Sequence, residues 1–180
     1  MSFRHTSYRS HTQHIDVRDR QNDYIQSKDD DTIQDEGLIN WKKNFLKKRE
    51  NRWLCDISDD FIQDGFNMQG LHNDVKFLAV CCDVILGKFN IQGLSAKIER
   101  EIIKNLPIAY GLIHARYIIT PDGLNSIKDK YNNKEFGTCP RLNCQNTPLL
   151  PIGLSSNLDE NTVKTFCPCC REVFEPRPAN

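Results

Sequence analysis

The residues best suited to chemistry are four cysteines in the last quarter of the chain. Cys139 and Cys144 are separated by four residues, Cys167 and Cys170 by two, and 22 residues lie between the pairs. Two short turns that each present two thiolates can close a tetrahedron around a zinc ion. Four sulfur ligands leave no open position for water, so this spacing predicts one structural zinc ion per chain.

The other cysteines are read from their neighbours in the sequence. Cys169 lies inside the second pair and could compete for the metal, but a spacing of two residues favours Cys170. Cys55, Cys81 and Cys82 lie in apolar stretches and are predicted to be buried thiols. For the two cysteine pairs, the alternative to zinc binding is that they are reactive or disulfide-bonded, which the reduced thiol pools of cytoplasm and nucleus disfavour.

The composition and the motifs of the chain argue against several classes of function. Lys plus Arg and Asp plus Glu number 24 each, so the chain lacks the net positive charge of a general nucleic-acid binder. No apolar run reaches the roughly 20 residues that cross a bilayer, and the start has no signal-peptide core. No phosphate-binding glycine loop, kinase catalytic-loop motif or nucleophile elbow is found. We expect a soluble, non-enzymatic protein of the cytoplasm and nucleus.

The segments that must position the cysteines follow a simple order. Residues 1–38 are polar and predict a disordered tail, in which Ser27 and Thr32 each precede an acidic residue by three positions and are candidate phosphorylation sites. Residues 39–136 predict a helical domain, residues 137–176 a zinc-ribbon module, and residues 177–180 the C-terminal end. The predicted fold is mainly α with a small β zinc ribbon.

Helix signals are frequent between the tail and the cysteines. The predicted helix starts are Ser58, Asn73, Ser95 and Thr120, the last followed by proline at the first helical position. We expect the second helix to cover 74–86, and Pro107 to break or kink the third. His114 is predicted to be a hydrogen-bonded core histidine rather than a catalytic base. Leu124, Ile127 and Tyr131 are expected on the buried side of the fourth helix.

Several segments together resemble a known family, the regulatory beta subunit of the protein kinase casein kinase 2 (casein kinase II). The similarity covers about residues 41–176. It rests on the segments Asp59–Asn67, Gly70-Leu71, Tyr110–Thr120, Phe136–Arg141, Pro148–Ser155 and Cys167–Cys170. The resemblance implies a helical domain joined to a zinc ribbon, with the four cysteines in the ligand positions and the ribbon forming a homodimer.

The resemblance also implies which residues form the dimer contact: Pro140, Leu142, Leu149, Leu150 and Val173. An apolar patch of Leu149, Leu150, Ile152 and Leu154 on so small a module would favour burial against a second copy. Alternatively, these side chains pack under the ribbon within one chain.

The function that the resemblance implies is a non-catalytic regulatory and scaffold subunit, which binds the kinase catalytic subunit, stabilises it and alters substrate choice. Two departures bear on this. Residues 87–93 carry no carboxylate where the family has an acidic loop for basic ligands. Family members also continue beyond the ribbon into a docking segment, whereas this chain ends at Asn180, so we expect a truncated sequence or weakened docking.

Two other functions stay open. The first is a zinc-ribbon nucleic-acid or transcription module, in which Arg141, Lys164, Arg171 and Arg177 would contact phosphates. The second is a dimeric adaptor that has lost kinase docking.

Overall fold

Helices make up the first part of the structure and a small sheet the last. The computed structural model describes residues 40–155 and 160–176. In these ranges the helices are α1 (Trp41–Leu46), α2 (Asp59–Gln63), α3 (Leu78–Ile85), α4 (Ala96–Tyr117) and α5 (Pro121–Asn132). Short 3-10 helices cover Arg49–Asn51, Gly65–Met68, Leu71–Asn73 and Leu142–Cys144, and the strands are β1 (Leu150–Ile152), β2 (Lys164–Phe166) and β3 (Val173–Phe174).

This arrangement confirms the predicted fold class, mainly α with a small sheet beside four clustered cysteines. The domain boundaries stay a prediction. The tail, with Ser27 and Thr32, and the C-terminal end lie outside the described residues. No helix in the described part of the chain is long and apolar enough to span a membrane.

Two of the predicted helix starts are made by side-chain caps. The Ser58 hydroxyl accepts a hydrogen bond from the Phe61 N–H at 3.4 Å, and the Thr120 hydroxyl accepts one from the Gly123 N–H at 3.2 Å. Each cap satisfies a backbone donor that the first helical turn leaves unpaired. Ser95 also precedes its helix as predicted, but makes no side-chain cap bond.

The prediction of a helix from residue 74 was wrong. Asn73 ends a short 3-10 helix, and α3 begins only at Leu78, after Phe77 in the left-handed region (φ 57°). The left-handed conformation of Phe77 interrupts the helical path between residues 74 and 86. In the segment before it, the Lys76 N–H donates to the Asn105 side-chain oxygen on α4 at 3.0 Å, so this backbone donor is satisfied by a tertiary partner.

The predicted break at Pro107 is not observed, because α4 continues through this residue as one helix of 22 residues. Proline removes one backbone hydrogen bond, at a cost of about 3 kcal/mol or more. That cost is outweighed by burial along one side of the helix, where Ile102, Leu106, Ala109 and Ile113 are all completely shielded from solvent.

The centre of the helical region is held by two polar side chains of α4. The Tyr110 hydroxyl donates to the Cys55 carbonyl at 2.8 Å and accepts from the Ile57 N–H at 3.3 Å. His114 Nε2 accepts from the Cys55 N–H at 2.9 Å. Burial, and to a lesser degree Lys130, lower the pKa of His114 to about 4, so the ring is neutral and can accept this bond. His114 is thus the hydrogen-bonded core residue that the sequence predicted.

The three cysteines of the helical region, Cys55, Cys81 and Cys82, are buried, as predicted. Burial raises the pKa of Cys82 to about 11 and that of Cys81 to about 12, and it also raises the pKa of Cys55. All three thiols are therefore protonated near neutral pH and serve as small apolar groups.

The buried side of α5 differs from the prediction. Leu124 is 57% exposed, Ile127 and Tyr131 are only half-buried, and the buried residue is Gly123. A Cβ atom at Gly123 would lie 2.0 Å from the Tyr117 carbonyl oxygen. The helix therefore approaches the end of α4 at a glycine, a contact that apolar periodicity does not reveal.

Candidate metal centre

The C-terminal module is a three-stranded antiparallel sheet joined to two cysteine-bearing turns. The strand order is β1-β2-β3, with Leu150 opposite Phe166 and Phe166 opposite Val173. An isolated bridge between Thr138 and Pro148 closes the loop before β1. The sheet thus places the first cysteine turn before β1 and the second between β2 and β3.

The first turn holds Cys139 and Cys144. The Cys139 N–H donates to the Thr147 carbonyl, and the Thr147 N–H donates to the Cys144 carbonyl, both at 2.9 Å. The chain reverses here because Gln145 and Asn146 adopt left-handed backbone angles (φ 48° and 58°). Asparagine is among the residues that tolerate this region.

The second turn holds Cys167 and Cys170. The Cys167 N–H donates to the Glu172 carbonyl at 3.0 Å, and the Arg171 N–H donates to the Cys167 carbonyl at 2.8 Å. Burial opposes ionisation of the Cys167 thiol, but the backbone N–H groups of Cys170 and Cys169 donate to its sulfur and lower its pKa to about 7. Burial instead raises the pKa of Cys139 and that of Cys144, so Cys167 ionises more readily than these two, and the thiolate is the form that binds metal.

The two turns bring the four predicted ligands together. All four sulfur atoms lie within 4.8 Å of one another. Sulfur–sulfur distances are 3.8 Å for Cys139 and Cys170 and 3.9 Å for Cys144 and Cys167. A tetrahedral ion with each sulfur at about 2.3 Å sets the sulfurs about 3.8 Å apart. The donor set fits such an ion, and these residues could hold one.

Cys169 lies outside this group. Its side chain is exposed, whereas Cys139, Cys144 and Cys167 are buried and Cys170 is half-buried. The structure thus places Cys170, and not its neighbour, among the four clustered thiols.

The predicted dimer-contact residues divide into two groups. Leu142 is 95% exposed and Val173 44% exposed, Pro140 is exposed, and Leu150 is half-buried. Leu149 is only 5% exposed and packs with the cysteines in the core of the module. Of the two alternatives predicted for these leucines, packing within one chain is therefore the one observed for Leu149, because the ribbon uses this side chain to fill its own interior.

A set of contacts between residues 52–53 and residues 130–136 was not predicted from the sequence. Trp53 stacks on Phe136 with ring centroids 6.2 Å apart, and the Arg52 guanidinium lies 4.0 Å from the Trp53 ring centroid. Lys130 donates to the Arg52 carbonyl at 3.0 Å and pairs with Glu135 at 2.8 Å. These contacts attach the entry to the ribbon to the helical region, and no local sequence pattern links residues so far apart in the chain.

Residues 40–180 match the family model described as casein kinase II regulatory subunit. The chain belongs to this family. The resemblance expected from the sequence is confirmed, and the family description names a regulatory subunit, in agreement with the prediction that the chain is not an enzyme.

Several relatives are similar over most of the chain. The casein kinase II subunit beta' of Drosophila melanogaster is 41% identical over 137 residues, which are 76% of this chain and 63% of that protein. The beta subunits of Dictyostelium discoideum and Schizosaccharomyces pombe are 36% and 39% identical over 88% and 76% of this chain, and each is covered to 59%. The chain thus spans about three fifths of the length of these relatives.

Proposed function

We propose that this casein kinase II family member binds the kinase catalytic subunit as a non-catalytic regulatory and scaffold subunit, and that it is a homodimer formed through a zinc ribbon. The observation that carries the proposal is the family match over residues 40–180, which includes both cysteine turns. Differential binding to conformations of the catalytic subunit would stabilise that subunit and shift its substrate choice.

Zinc is the metal proposed for the four-cysteine site. Thiolate ligands favour soft or borderline cations, and tetrahedral four-sulfur coordination suits zinc. Bound zinc would supply no reaction chemistry, since the four side chains leave no coordination position for a substrate. Cys139, Cys144, Cys167 and Cys170 would hold it, and its binding free energy would contribute to folding of the ribbon.

The exposed side chains of the two cysteine turns support the proposed homodimer. Leu142 lies in the first turn and Val173 directly follows the second. An ion pair between Arg141 and Glu172, with an N···O distance of 3.3 Å, brings these turns side by side. Leu142 and Val173 each directly follow a member of this ion pair, and a two-fold interface would bury these exposed apolar side chains on both copies.

The nucleic-acid alternative finds less support. Two of the basic residues proposed to contact phosphates are paired with carboxylates, Arg141 with Glu172 and Lys164 with Glu175. Arg177 lies outside the described residues. With a formal net charge of zero, the chain offers little electrostatic attraction for a polyanion.

The proposal is tested by co-purification with the catalytic subunit from the same organism, with a curated full-length beta subunit as the positive control. We expect a complex that survives gel filtration. A zinc-loaded dimer that retains no kinase, while the full-length relative does, would instead support the adaptor function. Salt-dependent DNA binding without kinase binding would support the nucleic-acid function.

Two further parts of the proposal concern the tail and the cell. Phosphorylation at Ser27 or Thr32 is expected after incubation with the assembled kinase, and mass spectrometry of the protein with each residue changed to alanine would identify the site. Localisation to cytoplasm and nucleus is expected from fluorescence of the tagged chain.

A further inference from the structure

The exposed thiol of Cys169 is the one cysteine in the described part of the chain that neither the helical core nor the four-sulfur cluster uses. Cys55, Cys81 and Cys82 are buried among the helices. Cys169 directly precedes Cys170, a member of the cluster, and its thiol interacts with that of Cys144. A fifth sulfur is therefore present beside a site that needs four.

Among the four ligand positions, the one occupied by Cys170 is where a neighbouring thiol could replace the ligand. Cys170 is the least buried of the four cluster residues, and Cys169 directly precedes it on the same turn. Adjacent Cα atoms are about 3.8 Å apart, so exchange of one sulfur for the other would be a rearrangement within this one turn. The backbone N–H groups of both residues already point toward the Cys167 sulfur.

The other three ligand positions have no adjacent cysteine that could replace a lost thiol. Cys139 is followed by proline and Cys144 by glutamine, while Pro168 separates Cys167 from Cys169. Cys139, Cys144 and Cys167 are also buried, and the Cys139 and Cys167 N–H groups are bonded to the Thr147 and Glu172 carbonyls. A lost thiol at these positions would leave the metal with three sulfur ligands.

We propose that Cys169 and Cys170 share one coordination position, so that Cys169 supplies the fourth thiolate whenever Cys170 is not bound. The inference rests on the proposed metal centre and extends it from four thiols to five. Its chemical consequence is a site that keeps four-sulfur coordination after loss or modification of Cys170, but not after loss of Cys139.

Cobalt(II) titration of the full chain tests this proposal, because thiolate-to-cobalt absorption reports the number of bound sulfurs. Cys170→Ser should retain the four-thiolate spectrum of the unsubstituted protein, with affinity about 10- to 100-fold weaker because the supporting turn has shifted. The matched control Cys139→Ser, and the double variant with Cys169→Ser and Cys170→Ser, should each lose about a quarter of the absorption per bound cobalt. Cys169→Ser alone should bind normally.

A Cys170→Ser spectrum equal to that of Cys139→Ser would overturn the shared position. If the variants fail to fold, alkylation of the zinc-loaded natural chain decides the question. Mass spectrometry should then find a population with Cys170 alkylated and Cys169 protected, beside the major population with the opposite pattern. Alkylation confined to Cys169 would refute the proposal, whereas absence of any metal in the natural chain would refute the metal centre itself.

Discussion

Replacing Leu142 by alanine is the most direct test of the proposed dimer. Leu142 is 95% exposed in the single chain, so its truncation should change the free energy of unfolding of the monomer by no more than about 0.5 kcal/mol. If the dimer interface buries Leu142 completely, its truncation should weaken dimerisation. The change removes three carbon atoms of apolar surface at about 0.8 kcal/mol each, or about 2.4 kcal/mol per copy.

Two-fold symmetry doubles that loss, because the same residue is truncated on both sides of the interface. The total of about 5 kcal/mol corresponds to a dissociation constant raised roughly a thousandfold to ten-thousandfold. Sedimentation velocity over a dilution series measures this change, and the metal content of each sample shows whether the ribbon is intact.

The control is Leu124→Ala on α5, which truncates a leucine that is 57% exposed but lies outside the ribbon. Its dissociation constant should equal that of the unsubstituted protein. Equal dissociation constants for Leu142→Ala and the unsubstituted dimer would show that Leu142 does not lie in the contact. A monomeric unsubstituted protein would remove the dimer from the proposal.

Three further outcomes are expected. Because His114 titrates near 6.5 when unfolded and near 4 when buried, the unfolded chain binds a proton that the native chain excludes. In urea denaturation, the free energy of unfolding should thus be highest above pH 6.5 and should fall by about 3 kcal/mol toward pH 4. His114→Gln, which keeps an acceptor, should flatten this dependence, whereas substitution of the exposed His72 should not. Gly123→Ala should lower the free energy of unfolding by at least about 2 kcal/mol through its clash with backbone, while Gly111→Ala, which meets open space, should raise it by about 0.5 to 1 kcal/mol. Chelation of the metal should increase amide hydrogen exchange in residues 137–176 while α4 stays protected; equal exchange with and without chelator would contradict a structural metal.

The parts of the fold that the sequence predicted well are those determined by local chemistry. Caps at Ser58 and Thr120 form because a hydroxyl reaches an unpaired N–H within the same turn. The clustered cysteines could be predicted for the same reason, since each pair lies within one short turn. Beyond these local spacings, only the convergence of the two turns had to be inferred, and tetrahedral coordination of one ion implies it.

The predictions that were wrong depend on backbone conformation and packing that local patterns do not encode. The helix expected from residue 74 begins at Leu78 because Phe77 adopts a left-handed conformation, and Asn105 on α4 provides the acceptor for the Lys76 N–H. Pro107 stays helical because the burial of α4 outweighs one lost bond. In α5 the buried residue is Gly123 rather than Leu124, since the adjacent backbone leaves no room for a side chain. In each case tertiary packing overrides a local preference that was itself read correctly.

The burial of Leu149 gives the physical link between the metal and assembly. The buried core of the ribbon consists of this leucine and three cysteines, with Cys170 and Phe174 packed against it. So few apolar groups bury too little surface to offset the entropy of ordering the module, and a bound ion would supply the missing free energy. Leu142 lies in the 3-10 turn that ends at Cys144, so its position depends on that thiol being held. Metal binding and dimerisation would therefore be thermodynamically coupled, and metal affinity should rise as the protein is concentrated into dimers.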